Sequence, residues 1–104
     1  MLNKLLVTLV LVNFIWQPNM EPDLAGYRIY RRLPGQSFSS QPIAQIPCGP
    51  NDTSCAKGSD NVTPGEYYWA ATAYDEDGFE SDFSEEVTTI ISGEETITLI
   101  IKGR

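Results

Sequence analysis

The chain has 104 residues, with 14 Asp and Glu against 7 Lys and Arg, for a formal net charge of −7. That length holds one domain around one core, and the acidic balance argues against nucleic acid, whose phosphates need clustered Lys and Arg. The complete lack of histidine removes the commonest general base, the Ser-His and Cys-His nucleophile pairs and the commonest transition-metal ligand. Two cysteines cannot by themselves close a structural zinc site. Neither an enzyme nor a cofactor is therefore expected.

Met1-Leu2-Asn3-Lys4 followed by Leu5 to Trp16 has the outline of a signal peptide. No small-x-small cleavage site follows, however; the next residues are Gln17-Pro18-Asn19-Met20-Glu21-Pro22. The apolar run is too short to span a bilayer as a helix. It is rich in Leu and Val and free of Gly and Pro, so it reads as a retained strand. Val10, Val12, Phe14 and Trp16 share one face, while Leu9, Leu11, Asn13 and Ile15 share the other. Both faces are apolar toward the N-terminus, which implies burial on two sides or contact with a partner.

Ala25 to Arg32 alternates, with Tyr27 and Ile29 on one face and Arg28, Tyr30 and Arg32 on the other. A loop from Leu33 to Gln41 and a short strand from Pro42 to Ile46 come next. Cys48 and Cys55 then flank the turn-rich Gly49-Pro50-Asn51-Asp52-Thr53-Ser54. A disulfide there would close a short loop and contribute about 2–3 kcal/mol; two unpaired thiols, one of them buried, are the alternative. The disulfide is favoured, because small β modules in oxidising settings use such staples. Beyond the Thr63-Pro64-Gly65 turn, Glu66 to Tyr74 alternates again. Tyr67, Trp69, Ala71 and Ala73 face inward; Tyr68, Ala70, Thr72 and Tyr74 face outward. Asp75 to Gly78 is a turn, Glu86 to Ile91 a strand, Ser92 to Glu95 a turn, and Thr96 to Lys102 a final strand. Short strands separated by turns, with no helical period, indicate an all-β sandwich.

Phe14-Ile15-Trp16, Glu21-Pro22-Asp23-Leu24-Ala25-Gly26-Tyr27-Arg28-Ile29-Tyr30-Arg31, Pro64-Gly65-Glu66-Tyr67-Tyr68-Trp69, Ala73-Tyr74-Asp75, Gly78-Phe79-Glu80-Ser81 and Ser84-Glu85-Glu86-Val87 resemble, in this order, strands B, C, F and G of the fibronectin type III domain family, in its bacterial and phage single-module style. The resemblance spans roughly residues 10–91. It implies an immunoglobulin-like two-sheet β-sandwich over 1–91, with Trp16, Tyr27, Tyr67 and Trp69 as core landmarks. Tyr67 stands at the family's tyrosine corner, where the phenol hydrogen-bonds nearby backbone. The resemblance also places Cys55 as an inward residue of strand E, so that the bridge would tie C′ to E.

Two departures stand out. No turn residue divides the run before Trp16, so the family's separate strand A is atypical or absent. Residues 92–104 add a strand beyond G, with Ile97, Leu99 and Ile101 on one face and Ile100 on the other. That strand is expected either to fold back as a hairpin that extends its own sheet or to add to a neighbouring subunit. The hairpin is the favoured of the two.

Arg28, Tyr30, Arg32, Tyr68 and Tyr74 are expected to be displayed on the outer face of strands C and F. Tyr and Arg dominate interface hot spots and also stack on sugars; ordinary cross-strand pairing is the plainer account. Asp75, Glu76, Asp77, Glu80 and Asp82 gather carboxylates suited to calcium, but Asp-Gly is foremost a turn former, and the turn is preferred. The sequons at Asn51 and Asn61 carry little weight. The expectation is thus a structural module in a larger assembly, such as a phage virion component (decoration, neck or tail) or a surface filament. Its partners would be other protein subunits, with no membrane span. A secreted accessory domain that binds glycan or protein is the alternative, and the location is the virion or the cell exterior.

Overall fold

The computed structural model describes residues 9–93 and 96–103. Leu5 to Thr8 of the expected first strand, and Glu94-Glu95 of the expected last turn, lie outside them. The described residues form no helix; they form β1 (Val10–Trp16), β2 (Leu24–Arg32), β3 (Ala44–Pro47), β4 (Lys57–Val62), β5 (Gly65–Asp75), β6 (Val87–Ile91) and β7 (Ile97–Ile101). Two sheets pack as a sandwich, one ordered β4-β1-β7 and the other β3-β2-β5-β6.

Period-2 alternation decides which side chains enter the space between the sheets. Val10, Val12 and Phe14 descend from β1, Ile29 from β2, and Tyr67, Trp69 and Ala71 rise from β5, as the alternation predicts. Trp69 is fully buried at the centre, with the Phe14 ring 5.1 Å away. Its indole N–H donates to the Thr89 hydroxyl at 2.9 Å, so the largest core side chain leaves no orphaned donor. The Tyr67 phenol donates to the Thr63 carbonyl at 2.7 Å, which fastens β5 to the turn before it. Tyr27 lies in a second cluster with Leu24 and Cys48, and half-buried Trp16 packs against both clusters.

Three expectations need correction. The last strand forms no hairpin with β6. It crosses to the other sheet and pairs with β1 in parallel, from Val12↔Ile97 to Trp16↔Ile101. The reason is apolar: beside β6, the Ile97, Leu99 and Ile101 face would leave the edge of β1 open, whereas beside β1 it closes the core over Val12 and Phe14. β7 thus covers the second edge of β1 from within the chain.

The second concerns β4, which no apolar alternation marks. Lys57-Gly58-Ser59-Asp60-Asn61 gives no strand signal of its own, yet it pairs antiparallel with β1 from Val10↔Val62 to Ile15↔Lys57. Gly58 suits that place because Ile46 packs over it; a Cβ would sit 3.0 Å from the Ile46 Cδ1. Third, Cys55 precedes this strand and lies in the loop before it, not within a strand.

Candidate functional site

The outer face of the four-stranded sheet was the expected binding surface, and its five residues do share it. They are engaged with one another and with two loops. The Arg28 guanidinium pairs with Glu80 at 2.6 Å, donates to Gln45 at 2.8 Å and lies over the Tyr74 ring, 4.3 Å from its centroid. Arg32 grips Glu86 through both carboxylate oxygens and covers Tyr68 at 4.1 Å. The Tyr30 ring meets Phe83 edge-on at 5.1 Å, and Phe38 packs on Phe83 at 4.9 Å. Phe38 and Phe83 belong to the loops 33–43 and 76–86, which fold back over the sheet.

Glu80 holds this layer together. It accepts hydrogen bonds from the Tyr30 phenol at 2.6 Å and the Thr72 hydroxyl at 2.8 Å, besides its pair with Arg28. Burial and the carboxylate push the Tyr30 phenol up to about 12. For Glu80, burial acts to raise the pKa, but the bonds from Tyr30, Thr72 and Arg28 outweigh it and hold the carboxyl below its usual range. Only 3% of Tyr30 and 9% of Tyr74 are exposed. The expectation that these tyrosines are displayed is therefore corrected, because Arg28 and the loops that continue β2 and β5 cover them. The flat open rings that a sugar needs are not offered by Tyr30 or Tyr74.

The outer face of the three-stranded sheet is built differently. Its positions on β1 are Leu11, Asn13 and Ile15, with Leu9 one residue before the strand. Leu9 is 59% exposed, Leu11 37%, Ile15 44%, and Ile100 on β7 60%. Ile15 and Ile100 stand directly opposite each other in the parallel ladder. Lys57, Ser59 and Asn61 on β4 and Thr98 on β7 complete the face, and all four are exposed. No loop among the described residues roofs it. Among the four candidate assembly residues Ile97, Leu99, Ile100 and Ile101, only Ile100 is presented outward; Leu99 and Ile101 are buried and Ile97 is half-buried.

The cysteines are joined, Cys48 to Cys55, with an S–S length of 2.08 Å. Cys48 is buried against Leu24 and Tyr27, so the staple anchors its loop to the core. Cys48, Asp52 and Cys55 are the one grouping of metal-ligand types that converges among the described residues. Both sulfurs are committed to the disulfide, and Asp52 accepts from the Ser54 amide and hydroxyl. In the acidic turn, one Asp75 oxygen accepts from the amides of Asp77 and Phe79, both at 2.9 Å, while Gly78 takes φ 87°. The carboxylate there serves the turn.

An open groove of about 760 Å³ lies at the end where β1 and β7 finish, lined by Trp16, Tyr27, Phe83 and Lys102 among others. The Trp16 Nε1 is the one buried side-chain polar atom without a hydrogen-bond partner among the described residues. Its lining also includes Asp82 and the Ser81 and Ser84 hydroxyls, which accept from the Ala73 and Ala71 amides at 2.9 Å.

In comparisons with known proteins, no family model, no curated protein and no solved structure matches this chain.

Proposed function

We propose that the chain is a non-catalytic, fibronectin type III-like module of a larger protein assembly, and that it makes its contacts through the outer face of the three-stranded sheet. One observation carries this reading: loops cover Tyr30 and Tyr74 on one outer sheet face, where Ile90 at the β6 edge stays exposed, whereas Leu9, Leu11, Ile15 and Ile100 stand exposed together among polar neighbours on the other. Single exposed apolar residues are ordinary, but four on one side of a small sheet mark a contact surface. The strand order supports the family reading, with β4-β1 standing for E-B, β3-β2-β5-β6 for C′-C-F-G, and β7 occupying the place of A. The disulfide fits an oxidising location such as a virion or the cell exterior. The phage or surface-filament setting rests on family resemblance alone.

The test is gradient sedimentation of lysate or culture from the native source, following this chain against the Leu11→Asp/Ile100→Asp variant. The expected result is migration with a particle far heavier than the 11.6 kDa chain, lost in the variant. A native chain that migrates alone overturns the reading.

A further inference from the structure

We propose that the bare face pairs with the same face of a second copy, as a two-fold dimer with Asn13 beside the axis. The inference rests on the contact-surface reading above and names the partner. It is driven by where the charge lies.

The chain carries −7 overall, so two copies repel one another across most of their surface. Among the described residues, most carboxylates lie elsewhere. Glu21, Asp23, Glu76 and Asp77 sit in the loops at one end of the sandwich, and Glu80 and Glu86 on the roofed face. The outward positions of β1, β4 and β7 hold no Asp or Glu. Their one charge is Lys57, and Lys102 follows the end of β7. For an acidic molecule, this is the surface on which a like-charged copy can approach without placing carboxylate against carboxylate.

The pattern along β1 is self-complementary. Leu11 and Ile15 lie two residues either side of Asn13, on the same face. When two such strands cross antiparallel about an axis at Asn13, Leu11 of each copy meets Ile15 of the other. The two Asn13 amides, each a donor and an acceptor, then face one another in the middle. Ser59 and Thr98 flank Asn13 on the two neighbouring strands, so a polar row crosses the face between Leu11 and Ile15. The register that lays this row on its own copy leaves each polar group a partner. Lys57 is the cross-strand partner of Ile15, so the two-fold sends the lysines of the two copies to opposite ends.

Size sets the strength. Three strands about 4.8 Å apart and some six residues long give a face of roughly 300 Å² in plan, or about 600 Å² for two copies, below the roughly 1,000 Å² of a stable specific interface. The dimer is therefore weak and transient, with a dissociation constant of about 100 µM or above.

The experiment is sedimentation velocity on the purified full-length chain, from about 1 µM to about 1 mM. The expected mass rises from one chain toward two and does not pass it. Ile100→Asp, at an exposed position, weakens pairing at least about tenfold, with near-ultraviolet circular dichroism unchanged. Phe79→Asp, on the distant acidic turn, leaves it intact. A second variant, Asn13→Cys, joined by a thiol crosslinker of about 10 Å reach, traps covalent dimers, because packed sheets stand about 10 Å apart. A monomer at every concentration, a dimer untouched by Ile100→Asp, or growth beyond two chains overturns the proposal. A chain that is monomeric alone yet migrates with a particle removes the self-pairing and keeps the assembly reading. A dimer found in no particle does the reverse.

Discussion

At the scale of single residues, two positions set how the four-stranded sheet is dressed. Gly26 faces Tyr74 across the β2–β5 ladder, and a Cβ there would overlap the Tyr74 phenol and the Ile46 carbonyl. Gly26→Ala should therefore cost about 1–3 kcal/mol, read as a lower midpoint in urea with the slope unchanged. Glu80 and its partner Tyr30 make stability depend on pH at opposite ends. Its folded pKa is depressed, so its contribution is present above the ordinary carboxylate range and is lost as pH falls through the folded value. Tyr30 is raised, from 10.0 to about 12, so its contribution is whole below 10 and is lost as pH climbs toward 12. Urea midpoints across pH should show both losses. Glu80→Gln should flatten the acid limb, and Tyr30→Phe the alkaline one. An acid limb that keeps its slope in Glu80→Gln would place the titration elsewhere.

At the scale of elements, alternation made β1, β2 and β5 legible, since each has one face that only a core can take. Phe14, Ile29 and Trp69 were predicted inward by parity and are fully buried. The outward side of β5 was misread for a physical reason: Ala70, Thr72 and Tyr74 are buried too, beneath loops that no local pattern announces. β4 is implied by the resemblance alone, as a strand holding Cys55, because Lys57 to Asn61 carries no apolar alternation of its own. It is a strand because β1 presents an edge to pair and Val62 a side chain to bury. The partner of β7 was equally hidden, for an apolar stripe states that it must be covered but not by which sheet. Leu99, on its buried face, gives the check. Leu99→Ala should cost about 2–4 kcal/mol, whereas Thr98→Ala, on the exposed face, should stay within about 0.5 kcal/mol. Equal costs would mean that β7 does not seat in the core as described.

At the scale of the whole molecule, the candidate site was half legible. The first strand's doubly apolar character was visible from the start, and it pointed to contact on two sides. Which outer face stays open depends on where Phe38 and Phe83 come to rest, and the sequence does not mark those rings as a roof. The charge of −7 then governs how copies meet. If a face without carboxylates joins two acidic bodies, salt screens their repulsion over about 10 Å at 0.1 M. Self-association should accordingly strengthen as sodium chloride rises, as read by sedimentation at fixed protein concentration. Weakening with salt would indicate attraction between opposite charges and a different surface.

The parallel β1–β7 ladder also dictates when the molecule can be finished. Val12 must wait for Ile97, which the ribosome adds 85 residues later. Until then the three-stranded sheet lacks an edge strand and its core is uncovered on that side. Long-range pairing of this kind slows folding and makes it nearly all-or-none. A chain broken off before Ile97 holds most of the strands yet keeps Val12 and Phe14 open to water, where chaperones and proteases find it. The strand Ile97–Ile101 is thus the step on which full burial of the first strand waits.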